Sequence, residues 1–269
     1  MKQPRRRWSR RASLIVVAVA VVVIAIPLVV NAITPRPLAL FLRATVAQIE
    51  DSVVIGPYAD RIDDITVSTA IPVPVDGLPD ATLTLFSDGR ESETLRPVIL
   101  LIHGGGFILG DSSQIASYAK LLASEGYLVA NLDYSLAPEH EYPAAVHQSV
   151  AALEYLHANG AQLGGDPARL FVGGNSAGAQ LASQVGAVVT NPTLQREMGI
   201  TVSVPSADLR GVVLYSGPYD FDTVSRARTS PVSTPSPGAT SGGRTGTPTP
   251  GSTSSPRRAV RPAPTLPPT

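Results

Sequence analysis

Hydrophobic and polar positions fall into three rhythms along the chain. Leu14–Val30, "LIVVAVAVVVIAIPLVV", is apolar without a break for seventeen residues. With Ala32 and Ile33 beyond Asn31 it approaches the roughly 20 residues that cross a bilayer. "ITVSTAI" and "ATLTLF" then alternate apolar and polar side chains, as half-buried strands do, with Gly, Pro and Asp around them as turn signals. From Val98 the rhythm changes again. "VILLIH" is continuously apolar, as a strand covered on both faces should be, and "YLVANLDY", "RLFVGG" and "GVVLYS" follow the same rule.

Between these strands the pattern predicts helices. One runs from about Gln114 to Glu125, with Asp111 and Gln114 at capping-box spacing and Gly126 placed to stop it. A second covers "YPAAVHQSVAALEYLHANG", with Pro143 near its start and Gly160 after its end. A third carries Leu181 and Val185, and residues 38–50 are expected to form a helix against the domain or the membrane. Strand and helix alternating at this spacing predict a mostly parallel, doubly wound sheet with helices on both faces.

Charge refines the picture at both ends. Lys2, Arg5, Arg6, Arg7, Arg10 and Arg11 precede the apolar run, six arginines lie after position 224, and all 21 acidic residues lie between Glu50 and Asp222. A formal net charge of zero thus hides a body, residues 13–224, with 9 basic and 21 acidic residues and a charge of −12. Such a body argues against a nucleic-acid partner, because phosphate contacts carry most of that affinity. The basic head is expected to stay in the cytoplasm, with residues 14–33 as a single-pass cell-membrane anchor and the body outside. "Val30-Asn31-Ala32" also reads as a small-x-small cleavage site, which would leave a secreted protein, and "SRRASL" resembles a twin-arginine export signal. Cysteine is absent, so thiolate catalysis, cysteine-ligated metals and disulfides are excluded.

The candidate chemistry lies at two glycine-rich turns. Gly174-x-Ser176-x-Gly178 has the spacing of a nucleophile elbow, where a strand turns sharply into a helix and presents a serine hydroxyl. "His103-Gly104-Gly105-Gly106" follows "VILLI" and can aim backbone N–H groups at one point, as stabilising a tetrahedral oxyanion requires. The triplet does not extend to G-x-G-x-x-G, since Leu109 occupies the last position, and no G-x-x-x-x-G-K-[ST] occurs.

With "DYSLAPEHEYPAAV" between them, "HGGGFILGD" and "GGNSAGAQLA" make residues 65–222 resemble the α/β-hydrolase esterases of the hormone-sensitive-lipase and carboxylesterase type. The resemblance implies an α/β-hydrolase fold with Ser176 as nucleophile. It implies oxyanion N–H groups from Gly105, Gly106 and Ala177, with His103 and Gly104 shaping the loop. It also implies small ester substrates, an acyl-enzyme mechanism, and no metal or organic cofactor.

The resemblance breaks where the base should be. In this fold the triad runs Ser, then Asp or Glu, then His along the chain. No histidine follows Ser176, and only Glu197, Asp208, Asp220 and Asp222 remain as acids. Of the four histidines, His103 heads the glycine loop, His140 lies in a turn, and His147 and His157 read as surface residues of a helix. The triad acid and base are therefore unassigned. Residues 225–269 hold ten prolines, six arginines, no acid and no aromatic, a composition that cannot bury a core. A Pro/Ser/Thr-rich wall-spanning or interaction tail fits it, and so does a reading-frame slip in a GC-rich gene. The abrupt change at about Thr223 favours the slip or a truncated gene, leaving "GVVLYS" as an unprotected sheet edge.

The expected organisation is a basic head (1–13), an apolar anchor or signal (14–33), a linker and helix (34–60), an α/β-hydrolase domain incomplete at its C-terminal end (61–224) and a tail (225–269). The expected activity is hydrolysis of carboxylic esters, impaired by the missing acid and base. The alternatives are an inactive membrane-tethered binding or interaction protein, and a serine peptidase of the same fold.

Overall fold

The computed structural model describes residue 30 and residues 34–46, 56–68, 70–90 and 94–221. The expectations for residues 1–13, for the span 14–33 as a whole, for Asp222 and for the tail 225–269 lie outside the described residues. Among the described residues, no helix is long and apolar enough to cross a membrane.

One sheet organises these residues. Its strands are β1 (Thr66–Val67), β2 (Ile71–Val73), β3 (Ala81–Ser87), β4 (Arg96–Ile102), β5 (Leu128–Asp133), β6 (Gly165–Asn175) and β7 (Leu209–Tyr215). The order is β1-β3-β5-β4-β6-β7, with β2 also paired to β3. β5, β4, β6 and β7 are mutually parallel, as the continuous apolar runs predicted. The other half is antiparallel, however, so the sheet is mixed rather than mostly parallel. "ITVSTAI" falls on two short strands rather than one, and after the first of them Ser68 donates its N–H to the Leu85 carbonyl while its hydroxyl oxygen accepts the Leu85 N–H, both at 3.0 Å.

The period-two geometry of a strand divides its side chains between two cores. Val98, Leu100 and Ile102 of β4 enter the larger core, and Ile99 and Leu101 enter the smaller one. β5 repeats the division, with Leu128, Ala130 and Leu132 on one side and Val129 on the other. The larger core is closed by α3 (Ala144–Asn159) and α4 (Ala177–Thr190), through Val146, Leu153, Leu181 and Val185. The smaller is closed by α2 (Ala116–Ser124), through Ala119 and Ala123. Outside these layers lie α1 (Arg36–Val46) and α5 (Pro192–Met198), the latter not foreseen from the sequence pattern. Asn191 caps α5 by accepting the Thr193 and Leu194 N–H groups.

Two helix ends differ from expectation. A 3₁₀ turn, Ser112–Ile115, precedes α2, and Asp111 accepts the Ser113 N–H at 2.9 Å, one position earlier than a capping box requires. α3 ends at Asn159 with Gly160 after it as expected, but Gly160 does not take the left-handed turn. It keeps right-handed helical torsions, the chain continues as a 3₁₀ turn to Leu163, and Gly164 at φ 82° ends it.

Among the described residues β7 is the last strand on its side of the sheet, as expected from the sequence. Val212, Val213, Leu214 and Tyr215 are each 38–42% exposed, so apolar side chains on both faces of the strand meet solvent. The interior strands therefore carry most of the core energy. Leu100→Ala, at a fully buried position, is expected to cost about 2–5 kcal/mol. Val213→Ala, at 41% exposure, is expected to stay within about 0.5 kcal/mol of the wild type. Urea unfolding midpoints of the two variants check the contrast.

Candidate active site

Ser176 sits between the end of β6 and the start of α4, with φ 52° and ψ −118°. That conformation costs a non-glycine residue on the order of 1–3 kcal/mol, and it persists only where the surroundings over-determine it. They do so here through backbone contacts. A Cβ on Gly178 would lie 2.1 Å from the Ile102 carbonyl oxygen, and one on Gly174 would lie 2.6 Å from the same oxygen. The first turn of α4 is thus pressed against the end of β4, which only glycine permits. The Ser176 N–H donates to the Tyr215 carbonyl at 2.8 Å, so β7 holds the elbow from its other side.

The glycine loop leaves β4 directly beside the elbow. Gly104 donates its N–H to Asn175 Oδ1 at 3.0 Å, and a Cβ on Gly104 would meet the Asn175 side chain and carbonyl at 2.9–3.0 Å. Gly105, at φ 115°, leaves no space for a side chain, since a Cβ would lie 1.8 Å from the Leu109 carbonyl oxygen. Among the described residues, no acceptor takes the N–H of Gly105, Gly106 or Ala177, and Ala177 opens α4, where helix geometry leaves the N–H unpaired.

Buried polar groups fix the loop from below. His103 is 1% exposed, donates from Nδ1 to the Gly104 carbonyl at 2.6 Å and stacks on Tyr134 with ring centroids 4.3 Å apart. Tyr134 in turn donates its hydroxyl proton to the His103 carbonyl. Burial pushes the His103 imidazole below its ordinary pKa and the Tyr134 phenol above its own, so both stay neutral. Asp133 accepts from the Ser112 N–H and hydroxyl, and buried Gln148 accepts the Ser135 N–H at 2.7 Å. The Tyr134 and Asp133 bonds tie the end of β5 to the glycine loop and the turn after it, and Gln148 ties the loop after β5 to α3.

Beside the loop lies an apolar cavity of about 580 Å³, lined by Gly106, Phe107, Ile108, His140, Leu181 and Phe221 among others. Its size falls within the ordinary range for small-molecule sites. The sequence marked His140 as a turn residue only, and the structure gives it both roles, in the turn and in the cavity wall. Arg43 on α1 was not foreseen. Its guanidinium donates to the Ile108 carbonyl at 2.6 Å, to the Ala137 carbonyl at 2.7 Å and to Glu139 at 2.7 and 3.1 Å. Those bonds hold the Glu139 carboxyl below the usual range.

Among the described residues, no histidine is hydrogen-bonded to Ser176: the ring nitrogens of His103 and His157 bond elsewhere, and His140 shares the cavity wall with Gly106. His103 is committed to its loop. His147 is half-buried on α3. His157 is also half-buried, and its Nε2 lies 3.2 Å from Asp208. That pair lies at the wrong end of the sheet. The Asp208 carbonyl accepts the Leu170 N–H, and Ser176 follows six residues later along β6, roughly 20 Å away at about 3.3 Å per residue. Glu197 lies on α5 and Asp220 beyond β7. Among the described residues, no group of three or more His, Cys, Asp and Glu side chains could hold a metal ion.

A serine at a strand-to-helix elbow, beside a glycine loop from the neighbouring parallel strand, defines the nucleophile-elbow class of α/β folds. The chain belongs to the α/β-hydrolase family: residues 99–240 match the family described as alpha/beta hydrolase fold. It is 35% identical over 163 residues to carboxylesterase NlhH of Mycobacterium tuberculosis, a match covering 55% of this chain and 49% of that protein. It is 33% identical over 143 residues to human arylacetamide deacetylase-like 2, covering 50% of this chain and 33% of that one. The chain thus spans half or less of the length of these curated relatives. A solved esterase of Pyrobaculum calidifontis superimposes with a TM-score of 0.50 and 28% identity, over 65% of this chain and 52% of that one.

Two tests follow from the site's packing. Gly178→Ala forces a Cβ against backbone and is expected to cost roughly 3 kcal/mol or more, the upper end of overpacking penalties. Gly106→Ala meets no atom within 4 Å and is strained only by its φ of 61°, about 1–2 kcal/mol. Urea unfolding separates the two. The lowered pKa of His103 gives the second test. Its contribution to stability is fully present above the ordinary value of 6.5 and is lost as pH falls from there through the lower native value, because the unfolded chain takes up the proton first. A wild-type stability profile steeper on this acid side than that of His103→Gln is the expected outcome.

Proposed function

We propose that this chain is by lineage a serine hydrolase of small carboxylic esters, impaired as a catalyst because no histidine follows Ser176 in its sequence. The observation that carries the reading is the elbow itself, a strained serine beside a glycine loop, with no acceptor among the described residues for the N–H groups of Gly105, Gly106 and Ala177. Ser176 Oγ attacks the acyl carbonyl, and the N–H groups of Gly105, Gly106 and Ala177 receive the developing oxyanion. Collapse expels the alcohol, which takes the serine proton, and water then releases the acid from the acyl-enzyme. His103 and Gly104 act by holding the loop. The chemistry requires neither metal nor organic cofactor.

In this reading the body is held outside the cytoplasmic membrane by residues 14–33, or released there after cleavage. The same lack of a histidine after Ser176 favours a second reading, in which the chain is an inactive binding protein whose cavity still takes an ester. Losing the base alone costs roughly 10⁶-fold in turnover in a comparable serine hydrolase, while oxyanion donors and binding leave about 10³–10⁴ over water.

A fluorophosphonate probe applied to the full chain is expected to label Ser176 slowly, with labelling absent in Ser176→Ala. Added imidazole, standing in for such a histidine, is expected to accelerate both labelling and p-nitrophenyl acetate hydrolysis. No labelling with or without imidazole assigns the chain to the binding reading. Hydrolysis at ordinary esterase rates without imidazole overturns the claim that it is impaired.

A further inference from the structure

α1 carries three of its large apolar side chains on the outside. Leu38, Leu40 and Phe41 are 48%, 57% and 63% exposed, whereas Ala39 on the inner side is 3% exposed. A short helix exposing three large apolar residues to water is unfavourable unless something covers them. The inner side is held firmly, because Arg43 is bonded to the carbonyls of Ile108 and Ala137 and to Glu139. Ile108 and Ala137 also line the 580 Å³ cavity, so α1 is fastened to the cavity wall. Two further exposed aromatic residues line that cavity: Tyr142 at 70% and Phe221 at 49%.

The chain before α1 says what covers it. The apolar stretch from Leu14 ends at Ile33, and α1 begins at Arg36. Three residues reach at most about 11 Å, so wherever Ile33 leaves a bilayer, α1 lies at that surface. Arg36 is exposed at its first position, where its charge also acts on Glu139 and remains within reach of solvent. An exposed apolar face beside a cation, next to an apolar chain segment, is the pattern of an interfacial helix.

We infer that α1 lies in the membrane interface with Leu38, Leu40 and Phe41 among the lipids, and that through Arg43 it sets the cavity mouth against the bilayer. The partner is the lipid surface, and the cavity draws its ligand from there rather than from bulk water. The inference rests on the membrane tether of the proposed function but not on turnover at Ser176.

The test uses the full chain reconstituted in vesicles of phosphatidylcholine and phosphatidylglycerol. Trp8 is the sole tryptophan, so Phe41→Trp in a Trp8→Phe background places one fluorophore on α1. Tyr58→Trp in the same background is the control. Tyr58 is exposed, and its neighbour Arg61 is ion-paired to Glu125 just before β5, at the opposite end of the sheet from the glycine loop. Brominated acyl chains are expected to quench the α1 fluorophore several-fold more strongly than the control. Equal quenching in the two variants, or failure of the chain to float with the vesicles, overturns the inference. Blue-shifted but unquenched emission from Phe41→Trp also overturns it, since a protein or a second copy then covers α1. Fluorophosphonate labelling of the same sample reads the proposed chemistry separately, so either reading can fail alone.

Discussion

The structure around Ser176 depends on how closely the end of β4 approaches the first turn of α4. The Ile102 carbonyl oxygen stands where a Cβ of Gly174 or Gly178 would be, so strand and helix meet backbone to backbone. That contact forces the chain to reverse at Ser176 through torsions a serine otherwise avoids. It also brings Asn175 against Gly104, and the bond between them fixes where the glycine loop begins. The elbow and the loop are therefore one packed object. Neither could be placed without the other, which is why the two sequence motifs are informative together and weak apart.

Much of the fold was legible because strand periodicity is local. The alternation in "VILLI" sends Val98, Leu100 and Ile102 to one core and Ile99 and Leu101 to the other, and a reader of the sequence alone can see both sets. Direction was less legible. Nothing in "ATLTLF" states that it runs against its neighbour Leu128–Asp133, because alternation is the same in either sense. Gly160 and Gly164 show the same limit at smaller scale. Both are glycines after a helical pattern, and only the observed torsions place the left-handed turn at Gly164 rather than at Gly160. Arg43 could not have been foreseen at all, since its partners Ile108, Ala137 and Glu139 lie far along the chain.

The polar groups beneath the loop hold shape without chemistry. His103 lies close to the glycine loop, yet it is buried, stacked on Tyr134 and already donating to Gly104. Burial disfavours the imidazolium that a general base must become. A residue that fixes a loop this tightly is poorly suited to trade protons with a substrate. The neutral stack of His103 on Tyr134 is instead what a loop of three consecutive glycines needs, because glycine contributes no side chain with which to hold itself in place.

The position of His157 and Asp208 follows from the parallel sheet rather than from chance. In parallel strands every C-terminal end lies on one edge, and groups that precede a strand lie on the other. Ser176 follows β6, whereas Asp208 precedes β7, so the length of a strand separates them however the side chains turn. An acid and a base able to meet Ser176 must come from segments that follow a strand. The segment after β7 is where an acid could reach that edge, and Ser216 occupies its first position with φ 52°, the same value as Ser176. The turn out of β7 thus reaches the edge that holds the nucleophile, and the residues described beyond it bring no histidine to it.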